Sequence, residues 1–276
     1  GPAALIEHRK GGKWIWRCYL DLSQPQRRAW SFLRHFVVRY DAAIFSVTGF
    51  AQRLPIPKFL IYPSIDPLSE KNRELSRAEV SHTLDRLGIP RDKPILLQVA
   101  RFDRFKDPVG AIKAYRIVKK HYDCRLILAG GGVANDPEGE AVLADVQTAA
   151  GSDTDIHVLQ LPPEADREIN ALQRGATIVL QKSIKEGFGL AVSEAMWKGK
   201  PVVGGTAGGI ADQIIDGVTG YTVHSIEGAA FRVRHLLNNP GLSQRMGGAA
   251  REHVRRNFLI TRHLADYLTL LKIFTQ

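Results

Sequence analysis

From Lys93 onward, short apolar runs alternate with longer segments whose apolar positions recur at helical spacing. Gly, Pro or Asp punctuates each change of period. Pro94-Ile-Leu-Leu-Gln-Val-Ala100 reads as a buried strand. Asp107-Pro108 then supplies an N-cap and a first helical residue for a helix running to about His121. Cys124 to Ala129 is a second strand, closed by Gly130-Gly131-Gly132, and Asp136-Pro137 repeats the cap for a helix to about Ala150. Ile156 to Leu161 gives a third strand, Glu164 to Arg174 a helix, and Ala176 to Gln181 a fourth strand. Leu190 to Lys198 is rich in helix formers and is stopped by Gly199-Lys200-Pro201. Pro201 to Gly204 and Gly220 to Val223 add two more strands, with a short helix opening at Gly208-Gly209-Ile210 between them. Residues 226–238, 241–257 and 260–274 read as three closing helices.

Strand and helix alternating at this interval predict βαβ units, and so an α/β fold around a parallel, doubly wound sheet. Ligands of such sheets sit outside the carboxyl ends of the strands. The loops 101–106, 130–136, 182–189 and 204–209 all follow strands and are expected on that rim.

The first 90 residues carry less. Trp14 to Tyr19 reads as a strand, Gln24 to Tyr40 as a helix, Ala43 to Val47 and Phe59 to Pro63 as strands, and Ser76 to Leu87 as an amphipathic helix. About 60 residues with three strands fall short of the hundred or so that a full doubly wound domain usually needs. The expected division is a partial domain over 1–66, a connector and helix over 67–90, a complete domain over 91–258 and a helix over 259–276 that crosses back. Gly1-Pro2 reads as a processing scar, which makes the chain amino-terminally truncated.

Composition narrows the class. With 44% hydrophobic and 24% charged residues the chain is globular, and no apolar run has the length of a membrane span. Cys18 and Cys124 stand in unrelated contexts, which suggests neither a disulfide framework nor a metal site. With no signal-peptide pattern, a cytoplasmic location is expected. The net charge of +10 is uneven, since residues 1–60 hold ten Lys or Arg against three acids. Trp14 and Trp16 between Lys13 and Arg17 offer stacking to nucleic acid, yet no nucleic-acid-binding signature accompanies them. A basic face beside an anionic substrate cleft is the expectation, with no nucleic acid and no membrane as partner.

The chemistry concentrates in Lys185-Glu186-Gly187-Phe188-Gly189-Leu190-Ala191-Val192-Ser193-Glu194. Gly187 to Gly189 is the turn that opens a helix. Its free N–H groups and positive dipole end suit a phosphate. Glu186 precedes the turn and Glu194 lies in the helix, so each carboxylate can accept hydroxyls on one side of a bound diphosphate. Hexose, diphosphate and ribose have that layout in a sugar nucleotide. The loop Arg101-Phe102-Asp103-Arg104-Phe105-Lys106 brings cations to the same rim. Arg101 can grip phosphate oxygens with two N–H groups, and Lys106 acts as a point charge. His157, in an apolar strand, reads as a satisfied core or rim residue, and His253 and His263 as solvated. Asp153 and Asp155 make no case for a metal.

In this order, Arg101-x4-Lys106, the Gly-rich end of the second strand, Glu186-x7-Glu194 and Gly208-Gly209-Ile210 resemble the retaining GT-B glycosyltransferases. The likeness runs through Asp216-Gly217-x2-Gly220 to Asn257-Phe258. A narrower similarity is to the trehalose-forming glycosyltransferring synthases. It rests on Ala4-Leu-Ile-Glu7, Lys13-Trp-Ile-Trp-Arg-Cys18, Asp21-Leu-Ser23, Pro63-Ser-Ile-Asp-Pro-Leu-Ser-Glu-Lys-Asn72 and Glu194-Ala-Met-Trp-Lys-Gly-Lys-Pro201. This resemblance implies a GT-B type α/β protein with one complete Rossmann-like doubly wound domain and part of a second. It assigns Arg101 and Lys106 to the donor diphosphate and Glu186 to the donor glucose, as the catalytic set. Gly187, Phe188, Gly189, Leu190, Glu194 and Gly131 become donor-binding, with Glu194 on the ribose.

The implied reaction joins a nucleoside-diphosphate-glucose to glucose to give trehalose, reversibly and with retention, and calls for no metal or other cofactor. Two features depart from the family pattern. Its glycine loop and acceptor-side histidine would precede this chain, and Cys18-Tyr19 stands where Cys-His is usual. Donor binding is therefore expected to outlast full activity. A retaining trehalose phosphorylase and a non-catalytic nucleotide-binding fragment stay open as alternatives. So do the donor base, the true acceptor and the oligomeric state, a homodimer included.

Overall fold

The computed structural model describes residues 11–131 and 136–275. The first of two sheets is small. β1 (Ile15–Cys18), β2 (Ala42–Phe45) and β3 (Lys58–Leu60) run parallel in the order β1-β2-β3, with α1 (Arg27–Val37) joining the first two. β2 is apolar and buried at all four positions, as befits a central strand covered on both faces. α1 starts later than its pattern suggests because Pro25 biases Gln24 away from helical geometry. The Gln26 side chain accepts from the Ala29 amide at 2.6 Å and caps it. β3 ends at Leu60, short of Pro63, which has no N–H to give a ladder. Trp16 leans on Trp30 and Phe45, with ring centroids 6.3 and 5.9 Å away, so it packs the core and is not offered to bases.

α2 (Arg77–Arg86) leads to the second sheet. Ser76 accepts from the Glu79 amide while Glu79 accepts from the Ser76 amide, a capping box. There follow β4 (Ile95–Val99), α3 (Pro108–Lys119), β5 (Arg125–Gly131), α4 (Pro137–Ala150) and β6 (Ile156–Leu161). The second half comprises α5 (Asp166–Gly175), β7 (Ile178–Gln181), α6 (Leu190–Trp197), β8 (Val202–Gly205), α7 (Gly209–Gln213) and β9 (Gly220–Val223). α8 (Ile226–Asn238), α9 (Pro240–Asn257) and α10 (Ile260–Thr275) close the chain. All six strands are parallel, in the order β6-β5-β4-β7-β8-β9.

Alternate residues of these strands feed two different cores. Leu96, Leu126, Leu128, Ile178, Leu180 and Val203 face a cluster with α3, α4 and α8. Leu97, Ile127, Ala129, Val179 and Val202 face the other way, into a cluster with α5, α6 and α9. Burial on both faces is why these strands read as near-continuous apolar runs. The second cluster also takes in Ala43 and Phe45 of β2, so the two sheets share a core.

The chain passes between the two sheets at one place. The Ile65 amide donates to Phe258 O at 2.9 Å and the Ile260 amide to Ile65 O at 3.0 Å. α10 then lies against the small sheet, where Leu270 is buried with Ile44 and Ile61. All three singled-out histidines differ from expectation. His263 stacks on Tyr267 at 5.0 Å with Nδ1 2.9 Å from the Tyr62 carbonyl, and His253 packs on Phe258 at 5.4 Å. Neither is solvated, because α9 and α10 turn these positions inward. His157 is not satisfied either, since its Nε2 is buried without a partner among the described residues. Burial pushes its pKa down, which disfavours the charged ring. No helix of the described residues is long and apolar enough to cross a membrane.

Candidate functional site

Strand order reverses at β4, with β5 and β6 on one side and β7 to β9 on the other. Loops leaving β4 and β7 therefore turn to opposite faces and leave a crevice between them. A cavity of about 590 Å³ lies there, lined by Arg101 and Lys106 after β4 and by Glu186, Phe188, Gly189 and Leu190 after β7. The small sheet closes it with Tyr19, Ser46 and Pro63, residues that follow β1, β2 and β3. Carboxyl ends of both sheets thus look into one space.

Lys106 and Glu186 meet in it. Lys106 Nζ stands 2.7 Å from both carboxylate oxygens of Glu186, and the two side chains are only 18% and 8% exposed. Ser183 Oγ donates to the same carboxylate at 3.2 Å. Arg101 stands 3.3 Å from Asp103 and is 69% exposed.

Both loops are built to hold this pair. Gln98, buried in β4, donates to the Lys106 carbonyl at 2.6 Å. The Phe105 carbonyl accepts from the Ile184 amide at 2.7 Å, which fastens one loop to the other. Asp107 ends the first loop in the left-handed region at φ 53°, the single non-glycine residue there among those described. Such a conformation costs on the order of 1–3 kcal/mol. Asp107 is fixed in it by accepting from the Gly110 amide at 3.1 Å and by pairing with Lys182.

Beneath the second loop, α7 packs through its glycines. The Gly209 amide donates to the Gly187 carbonyl at 2.8 Å. A Cβ on Gly208 would stand 1.9 Å from the Glu186 carbonyl. Gln213, fully buried, donates to the Phe188 carbonyl at 2.6 Å and accepts from Ser193. With these carbonyls tied back, the amino end of α6 faces the cavity. The Leu190 and Ala191 amides have no carbonyl within the helix to bond, the Val192 amide turns back to Gly189 O at 2.9 Å, and Gly189 enters the helix at φ 84°, where glycine carries no Cβ penalty.

Not every candidate converges on this space. Gly187 supports the loop through its carbonyl. Gly131 ends β5 so close to Leu161 that a Cβ would lie 2.7 Å from the Leu161 carbonyl. Glu194 lies on the second turn of α6, is 4% exposed and pairs with Lys71 at 3.5 Å, outside the cavity lining. The sequence reading passed over Gln98, Gln181 and Gln213. A signal existed for the first two, each a lone polar residue in an apolar strand. Gln181 lines the cavity, and its Oε1 is buried without a partner among the described residues.

The parallel sheet reversing at β4, with the cation–carboxylate pair at the switch and a second sheet opposite, defines a protein of GT-B type. A profile of the glycosyl transferases group 1 family matches residues 82–253, and one of the trehalose synthase N-terminal domain matches residues 1–52. The chain is 46% identical to the trehalose synthase of Pyrococcus horikoshii over 275 residues, 98% of this chain and 66% of that protein. It is 46% identical to the trehalose synthase of Thermococcus litoralis over 278 residues, 99% of this chain and 68% of that protein. The chain belongs to the group 1 glycosyl transferases and, within them, to the trehalose synthase family, and it spans about two thirds of the length of these curated relatives. Among solved structures, Anabaena Alr3699/HepE in complex with UDP-glucose superposes with a TM-score of 0.78 at 19% identity, over 94% of this chain and 72% of that one. At that identity the likeness concerns the fold.

Proposed function

We propose that the cavity binds a nucleoside-diphosphate-glucose and that the protein transfers its glucose to a second glucose, making trehalose with retention and reversibly. The observation that carries this reading is the Lys106–Glu186 pair, set between exposed Arg101 and the amino end of α6. Arg101, Lys106 and the amides of Gly189 and Leu190 would meet the diphosphate. Glu186 would accept hydroxyls of the donor glucose. As the glycosidic bond lengthens, negative charge grows on the leaving phosphate, and these groups offset it. Removing one such donor typically costs about 2.7–4 kcal/mol of activation free energy.

Retention then follows from departure and attack on one face, with the leaving phosphate taking the acceptor proton. The buried, Lys71-paired state of Glu194 argues against using it with Glu186 as a hydrolase-type acid and nucleophile. Tyr19, 62% exposed at the cavity, stands on the side left for the acceptor.

Titrating UDP and ADP into the wild type and Arg101→Ala tests the donor assignment. The variant should bind at least tenfold more weakly, and equal binding by both would sink the role of Arg101. Supplying glucose 1-phosphate in place of nucleotide sugars tests the phosphorylase alternative. Turnover with that substrate alone would replace the present reading.

A further inference from the structure

A second polar recess lies at the opposite edge of the large sheet. Arg174 stands just before β7, and Lys198 and Lys200 just before β8, so all three mark amino ends of parallel strands. The donor cavity is at the carboxyl ends. Together with Arg77 and Ser81 of α2 they line a space of about 400 Å³.

Four cations face this recess, and the acids near them are already engaged. Glu74 accepts from Arg174 and from Arg251, each at 2.6 Å. Glu79 is held by Arg73 and Arg167, Asp85 by Arg91, and Glu194 by Lys71. Arg174 spends its remaining N–H groups on the Asn170 side chain and the Arg73 carbonyl, and Lys198 donates to Asn72 Oδ1 at 3.0 Å. The side chains of Lys200 and Arg77 have no hydrogen-bond or ion-pair partner among the described residues. Burial and the neighbouring Arg174 hold the Lys200 ammonium below the ordinary lysine range, and burial pushes Lys198 down to about 7. Lys200, desolvated beside Arg174 and without an ion-pair partner of its own, is costly as a cation unless an anion joins it.

We propose that this recess is a second anion site, which takes the phosphoryl group of a small metabolite between Lys200 and Arg77. The volume exceeds what a lone phosphate fills and leaves room for a short polar carrier. Lys198 caps the carboxyl end of α6 and Lys200 lies two residues beyond it, while the amino end of the same helix lines the donor cavity. An anion here therefore rests on the same helix that faces the donor.

Titration calorimetry with inorganic phosphate and with glucose 6-phosphate, at constant ionic strength in chloride, tests the site. Wild type and Arg101→Ala should bind with similar affinity. Lys200→Gln and the exposed-position variant Arg77→Gln should each bind at least tenfold more weakly, with circular dichroism confirming that both are folded. Tighter binding of glucose 6-phosphate than of phosphate would identify the carried metabolite as the source, and equal binding the free ion. No binding to Arg101→Ala, or binding unchanged in both Lys200→Gln and Arg77→Gln, would overturn the proposal.

Discussion

Asp155 shows how much of a residue's role depends on partners that sequence does not bring near. It lies 2.9 Å from Lys93, 2.6 Å from Lys119 and 3.1 Å from Arg125, contributed by a loop, a helix and a strand. Hydrogen bonds from Lys119 and Lys93 hold its carboxyl down to about 2. The folded value lies below the unfolded one of about 3.9. Its contribution is therefore complete above about pH 4 and is lost as pH falls through about 2. Asp155→Asn should cost about 2 kcal/mol near pH 7 and flatten the acid limb of the stability curve. Denaturant melts from pH 7 to 2 check this, and a limb as steep as wild type would refute it. Arg101, Lys106 and Glu186 were legible in the sequence because charges in a loop after an apolar strand stand out. Their pairing was not, since Lys106 and Glu186 are 80 residues apart and only the strand order joins them.

The six large-sheet strands were readable to within a residue or two, because apolar runs bounded by Gly, Pro and capping Asp leave little choice. Capping chemistry was less uniform than its motif. Asp107, before Pro108, caps α3 with its side chain, whereas Asp136, likewise before a proline, Pro137, makes no such bond. The support that α7 gives to the Glu186 loop was invisible in sequence, because a glycine pair does not announce what packs on it. That support is testable at Gly208, where φ is +52° and a Cβ would meet the Glu186 carbonyl. Gly208→Ala should destabilise by roughly 1–3 kcal/mol and weaken nucleotide binding at least tenfold. Gly217, at φ +75° with open space around it, is the control. Gly217→Ala should carry only the backbone penalty of about 1–2 kcal/mol and bind nucleotide as wild type does. Equal binding by both variants would remove α7 from the site.

Over the whole molecule, local patterns could not tell that the carboxyl ends of two sheets face one cavity, or that residues far apart in sequence share a core. α10 makes the dependence concrete, since Leu270 is 2% exposed against the small sheet while its neighbour Leu268 is 57% exposed. Leu270→Ala should cost about 2–4 kcal/mol and Leu268→Ala under about 0.5 kcal/mol. Matching melting temperatures for the two would show that α10 contributes little to the small sheet. The Lys106–Glu186 pair has a further consequence for how the cavity admits a guest. The cavity holds its own counter-ion to Lys106, so entry of a guest is an exchange. A guest bringing only phosphate strands a carboxylate that is 8% exposed, and one bringing only hydroxyls strands an ammonium. Only a molecule carrying both replaces both partners at once, which makes half-ligands poor competitors. Glu186→Gln should accordingly tighten UDP severalfold while loosening UDP-glucose, opposite signs from one substitution. If UDP binds the variant no better than wild type, the pair does not sort whole donors from their spent halves.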